Sequence, residues 1–374
     1  MKRFICVAFA CFLLSISVSA SDIQNEITSS IDGELKDFEN SLPDYVKEFL
    51  PNDIFSGDFS SLVDGSINQM SFIDYSINYL FFCLPTILKS FSSLLVLMIV
   101  ISIFNTMKVS FISEGLKNAF SMCSVLCVSI SVFSSVDTIV SLCVDYIQAL
   151  CGTMNTFAPI MSALYIMNGA ISSASVANAS IMLFLSIIQN FMAVSLVPVI
   201  KICLCFSIVS SISGGIDLSG ISRFIKNTFT GVCAFLMSIF SFVMSFQSVL
   251  TQGVDTLSLR TARFAIGNFI PIVGGFLSDS LKTISSSLSF IKSSCGVVAI
   301  IAIVIITLPV VISLLLYRLS FSLMSGISKA LGNENECKVL DEATTVCSFT
   351  LAIASLMAVV FIFALTIFIK SSVG

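Results

Sequence analysis

The sequence contains no histidine and no tryptophan, and only 11% of its 374 residues are charged. Without histidine, the chain cannot form a Ser-His-Asp triad, a Cys-His dyad, an HExxH zinc site or a histidine proton relay. A soluble domain carries about 25% charged residues, because its surface has to be hydrated. The lack of charge therefore excludes an ordinary soluble protein.

Apolar residues dominate the sequence: 56% of it is hydrophobic, and the mean hydropathy is +1.04. A helix needs about 20 apolar residues to cross a bilayer. Six stretches meet this requirement: Pro85–Met107, Ala119–Val136, Ala179–Ile200, Thr228–Leu250, Ser294–Tyr317 and Thr344–Ile369. A seventh and shorter run, Ile202–Ile216, directly follows Lys201 and is easier to bury than to hydrate. The sequence predicts an all-α, polytopic membrane helical bundle with six or seven spans, and we favour seven.

The N-terminal region has a different composition. Residues 1–20 resemble a secretory signal peptide, with Lys2 and Arg3 before an apolar run and a small-residue cleavage site. An uncleaved anchor helix is the alternative. Residues 21–83 hold twelve of the 22 acidic residues and only two basic ones, so we expect a short helical extracytoplasmic segment. It is either a solvated acidic cap or a binding surface. Residues 84–374 form the multi-pass membrane domain.

The orientation of the first loops follows from the translocated acidic segment. The loop with Lys108 and Lys117 is then cytoplasmic, and residues 137–178, which contain no lysine or arginine, lie outside. Polar residues and Pro159 interrupt this second stretch. It is predicted either as an interfacial or re-entrant segment or as an ordinary amphipathic pair at the outer leaflet. The positive residues further along do not distinguish six spans from seven.

Groups that carry chemistry are scarce within the spans. Most of the thirteen cysteines lie in or beside apolar stretches, where cysteine behaves as a small apolar residue. We therefore expect no metal site and no cofactor. No aspartate or glutamate lies at the centre of a clear span, which argues against an ion-coupled carrier. These features predict a protein that is not an enzyme.

Residues 250–295 are the densest part of the sequence in candidate functional residues. These residues, proposed for partner contact or a pore, are Gln252, Gly253, Asp255, Arg260, Arg263, Gly267, Asn268, Pro271, Gly274, Gly275 and Asp279. Phe264–Leu277 is too short and too broken to span, which favours a re-entrant hairpin with Arg260 and Arg263 at its mouth. The alternative is an interfacial helix pair whose arginines contact lipid phosphates. Asp279, or the serine before it, is predicted to cap the next helix.

The run from Gln252 to Asp279 resembles that of the stage III sporulation protein AE family, although Arg263 stands where lysine is more frequent. The resemblance implies a protein of the mother-cell membrane around the forespore. It implies a non-enzymatic component of a secretion or channel complex that joins the two cells and is needed for late forespore gene expression. The implied partners are membrane proteins of the same operon, including ring-forming components and a cytoplasmic secretion-type ATPase. Besides these we expect the lipid bilayer and no nucleic acid. A stand-alone permease for a small solute is the alternative.

Overall fold

The computed structural model describes residues 69–107, 114–167, 171–213, 218–269 and 274–370. Within these ranges the chain forms six helices and no strand, which confirms the all-α prediction. The helices are α1 (Gln69–Met107), α2 (Glu114–Met167), α3 (Ile171–Ser213), α4 (Ser219–Phe269), α5 (Gly274–Ala330) and α6 (Glu334–Lys370). Each contains an apolar stretch long enough to cross a membrane, so the described residues provide six candidate spans.

The preference for a seventh span is wrong. Residues 202–213 continue α3 without a turn after the Ala179–Ile200 stretch, and Lys201 and Pro198 lie inside the same helix. Two separate spans would need a chain reversal between them. A run of 15 residues would also extend only about 22 Å as a helix, which is less than the hydrocarbon thickness of about 30 Å.

The interruption predicted for residues 137–178 is absent from the described part of that stretch. Helix α2 passes through it to Met167 and includes Pro159. The polar residues share one exposed side of the helix: Asp137, Ser141, Asp145, Gln148 and Asn155. The opposite side is buried, and the Tyr146 hydroxyl donates to the carbonyl of Ala354 on α6 at 2.9 Å. Polar residues on a single side make a helix amphipathic and do not break it.

Helix α1 extends further towards the N-terminus than the first predicted span. It begins at Gln69, contains Pro85 and crosses the boundary between positions 83 and 84 without a break. The signal peptide and residues 21–68 of the acidic segment lie outside the described residues, so both stay predictions.

Helices α5 and α6 form the centre of the bundle. Helix α6 packs against α2, α3, α4 and α5, and 50% of its apolar window is buried, compared with 22% for α1. Large apolar residues remain exposed on one side of α4 at helical spacing: Ile221, Phe224, Val232, Phe235, Ile239, Phe242, Phe246 and Val249. A periodic exposed apolar stripe on a span-length helix is the surface that faces lipid.

A tight turn joins the two central helices. Gly332 has φ 77°, a left-handed conformation that favours glycine. The amide of Asn333 donates to the carbonyl of Ser328 at 2.9 Å. The amide of Gly332 donates to the carbonyl of Lys329 at 3.1 Å. These two bonds define a Schellman C-cap. The turn thereby brings the first residues of α6 back beside the end of α5.

Candidate functional site

One end of the bundle collects polar and charged side chains from all six helices. We call it the charged end, and it comprises residues 102–107, 114–124, 207–213, 218–226 and 325–345. The Asn105 amide donates to Asn333 Oδ1 at 2.7 Å, and Ser207 Oγ donates to the carbonyl of Lys338 at 3.2 Å. The first turns of α6 therefore contact helices that are distant in sequence.

Asn333 and Glu336 connect α6 to the first two helices. Asn333 is buried, and its amide donates to the carbonyl of Met98 at 3.1 Å. The Glu336 side chain is also buried and accepts a hydrogen bond from Ser124 Oγ on α2. Burying polar groups is tolerated when they are hydrogen-bonded. These contacts fix the start of α6 against α1 and α2.

A buried ion pair links α4 to α6. Lys226 Nζ lies 2.6 Å from Glu342 Oε1, and the two side chains are only 6% and 12% exposed. Ser222 Oγ donates to the same carboxylate oxygen at 2.5 Å. Taking two charges out of water is costly unless they are paired and hydrogen-bonded, and this pair meets both conditions.

A second ion pair near it is open to solvent. Lys329 Nζ lies 3.2 Å from Asp341 Oδ2, and these side chains are 60% and 51% exposed. Asp341 also accepts a hydrogen bond from Ser325 Oγ, which joins the last turns of α5 to α6. Exposed pairs contribute at most about 1 kcal/mol, so this pair orients the surface and stabilises it little.

A cavity of about 380 Å³ opens at the charged end between α3, α4 and α6. Its lining is polar and includes Ser207, Ser210, Ser219, Ser222, Arg223 and Lys338. The Asp341 and Glu342 carboxylates also border it. Among the described residues, no cluster of three or more cysteine, aspartate or glutamate side chains has the geometry to hold a metal ion.

The residues proposed from the sequence lie far from the charged end. Seven are in the last part of α4: Gln252, Gly253, Asp255, Arg260, Arg263, Gly267 and Asn268. Gly274, Gly275 and Asp279 are in the first turns of α5, and Pro271 lies outside the described residues. Gln252 is 33 positions beyond the start of α4, or about 50 Å along the helix axis.

The structure corrects one local feature of this segment. Helix α5 begins at Gly274, so neither Ser278 nor Asp279 caps it. Glycine is unfavourable mainly in the interior of a helix, and the pair Gly274-Gly275 is accommodated at its first two positions. Two long helices thus flank residues 270–273, and α4 packs against α5. Whether this segment enters the bilayer stays a prediction, as do the roles of its residues.

These observations define an all-helical, multi-pass membrane protein. The family model described as Stage III sporulation protein AE matches residues 55–372, so the chain belongs to this family, as the resemblance predicted. The chain is similar to the stage III sporulation protein AE of Bacillus subtilis (strain 168), with 26% identity over 273 residues. That match covers 70% of this chain and 67% of the relative. No solved structure matches.

Proposed function

We propose that this sporulation-family protein is a non-enzymatic subunit of a secretion or channel complex that joins the mother cell and the forespore. Its partners in this proposal are membrane proteins of the same operon, including ring-forming components, and a cytoplasmic secretion-type ATPase. The complex is needed for late gene expression in the forespore. Family membership supports the sporulation role, and the dimensions of the helices support the role as a subunit.

Helix length is the observation that carries the subunit proposal. Helices α2, α4 and α5 contain 54, 51 and 57 residues, which corresponds to about 77–86 Å each. A hydrocarbon core is about 30 Å thick, so these helices extend well beyond a single crossing. On α4, Leu257 lies past the apolar stretch and is 67% exposed. Exposed apolar side chains on overlong helices favour contact with other protein chains.

The proposed orientation places the charged end in the mother-cell cytoplasm and the N-terminal segment outside it. Six spans bring three helix connections to the charged end. The described cations at this end are Lys117, Arg223, Lys226, Lys329 and Lys338. The orientation follows from the predicted translocation of the acidic segment that precedes α1. In this orientation the ATPase approaches the charged end of the bundle. The ring-forming components approach the opposite end.

Labelling of single cysteines tests this topology. In a cysteine-free background, we expect Asn118→Cys to react with a membrane-impermeant thiol reagent only after permeabilisation. Thr261→Cys is expected to react in intact cells, because six spans place the far end of α4 outside. Both positions are exposed, so burial does not bias the comparison. The reverse pattern would invert the orientation, and protection of both positions in intact cells would reinstate an additional crossing before α4.

Photo-crosslinking during sporulation tests the proposed complex. A photoreactive amino acid at Leu257 is expected to form adducts with other proteins of the operon, whereas one at Ile130 reacts mainly with lipid. Ile130 is a matched control, because it is 71% exposed on the apolar side of α2. Strains lacking single operon genes identify each adduct, and a late forespore reporter gene confirms that the variants function. A functional protein without operon-dependent adducts at Leu257 would contradict the subunit proposal and favour a stand-alone permease.

A further inference from the structure

The cavity at the charged end carries an unbalanced charge. Of the two carboxylates that border it, Glu342 is paired with Lys226 and Asp341 with Lys329. Arg223 and Lys338 also line the cavity, and neither forms an ion pair with any residue that the structure describes. Both are exposed. The cavity therefore presents two positive charges that no protein carboxylate neutralises.

The rest of the lining suits a hydrated, oxygen-rich ligand. Four serines make the lining polar, although Ser207 and Ser222 already donate their hydroxyl hydrogens to the Lys338 carbonyl and the Glu342 carboxylate. The Arg223 guanidinium and the Lys338 ammonium groups carry the N–H donors that an anion would accept from. A water molecule occupies about 30 Å³ of liquid, so a cavity of about 380 Å³ has room for a phosphate group together with several waters. Ser222 and Lys226 are already bonded to Glu342, which keeps this side of the cavity fixed.

The position of the cavity relates it to the bilayer. Ile221 and Phe224 flank Arg223 on α4 and are 49% and 70% exposed. They begin the exposed apolar stripe of α4, and on this basis we place Arg223 at the level of the bilayer where the acyl chains end. Lipid phosphates lie at this depth, and arginine binds phosphate oxygens through its planar fork.

We propose that this cavity binds the phosphate group of an anionic phospholipid from the leaflet at the charged end. Arg223 and Lys338 supply both the two positive charges and the N–H donors to the phosphate oxygens. The bound lipid then links α3, α4 and α6 at the edge of the bilayer. This site is separate from Arg260 and Arg263 and does not depend on the proposed sporulation complex.

The absence of tryptophan permits a direct test with the full-length protein. The variant F224W places a single fluorophore beside Arg223, and I130W places one at a similarly exposed position on α2. Each protein is reconstituted into nanodiscs of phosphatidylcholine that contain brominated phosphatidylglycerol or brominated phosphatidylcholine. We expect the fluorescence of the F224W reporter to show that brominated phosphatidylglycerol associates there about tenfold more strongly than brominated phosphatidylcholine, because two cations attract its headgroup. We expect no such preference at the I130W reporter.

Substitutions of the cations complete the test. The double variant R223Q with K338Q is expected to reduce the preference for phosphatidylglycerol at the F224W reporter to the level seen at I130W. R223K with K338R should retain most of it, and K117Q, a cation at the same end outside the cavity, should retain it fully. Matching circular dichroism and gel-filtration profiles show that the variants are folded. A preference that survives R223Q with K338Q overturns the site, and equal association of brominated phosphatidylglycerol and brominated phosphatidylcholine with the F224W reporter overturns its assignment to an anionic lipid.

Discussion

Replacing Glu342 by alanine is expected to lower the free energy of unfolding by about 3–5 kcal/mol, because it leaves a buried charge without its partner. Lys226 is only 5% exposed, and its ammonium group lies 2.6 Å from the Glu342 carboxylate. The change also removes the acceptor of the Ser222 hydroxyl, which is 1% exposed. Thermal unfolding of the purified protein in detergent measures the loss.

The neighbouring residue provides a matched control for this prediction. Asp341→Ala removes a carboxylate from the same turn of α6, but its partner Lys329 is 60% exposed. We expect this change to lower stability by only about 1–2 kcal/mol, because the exposed ion pair contributes little and the Ser325 hydroxyl loses one acceptor. Lys226→Met combined with Glu342→Leu should recover most of the stability lost in Glu342→Ala, because no unpaired charge then remains buried. Equal losses for Glu342→Ala and Asp341→Ala would show that the buried pair has no special role.

The second large effect is expected at the opposite end of α4. Arg260→Ala combined with Arg263→Ala is predicted to abolish sporulation without removing the protein from the membrane. The two arginines are three positions apart in α4, so they lie within one helical turn of each other. Loss of both removes a paired cationic contact with a partner chain or with the adjoining segment. Counts of heat-resistant spores measure the effect, and immunoblots of membrane fractions confirm that the protein is present.

Conservative substitutions identify what these arginines contact. Arg263→Lys is expected to be tolerated, because it keeps the charge at that position. If lipid phosphates are the only contacts, lysine should serve at both positions, whereas a bidentate carboxylate contact requires the guanidinium group. Thr261→Ala is the matched control, because Thr261 is exposed and its hydroxyl only bonds the Leu257 carbonyl of its own helix. Normal spore yield in the double alanine variant would exclude both arginines from the functional site.

The apolar runs predicted the position of each span but not its length. The second span was expected to end at Val136, because the next residue is Asp137, yet α2 continues to Met167. A hydropathy average stops at the first carboxylate, whereas a helix accepts carboxylates on an exposed side. The same reasoning explains the excess span, because Lys201 separates two apolar runs in a hydropathy average. Lys201 is exposed on the surface of α3, so it did not require a turn.

The charged end was not predicted, because its contacts join residues that are far apart in sequence. Lys226 and Glu342 are separated by 116 positions, and no local pattern relates them. One signal was nevertheless present. Four acidic residues occur between Glu334 and Glu342, directly before an apolar stretch that begins at Thr344. Such a density of carboxylates at the start of a span is costly unless partners are available, and it indicated a site of helix contact.

The placement of α6 determines when the bundle can be completed during synthesis. Helix α6 comes last among the described helices, yet it packs against α2, α3, α4 and α5 and supplies the polar partners of Ser124, Ser222 and Lys226. The earlier helices therefore enter the bilayer with these groups unsatisfied. Helices inserted one by one associate only afterwards, through packing and interhelical hydrogen bonds. A chain that contains Lys226 but lacks α6 therefore leaves this ammonium group without its partner carboxylate, and the bundle can close only after α6 has been inserted.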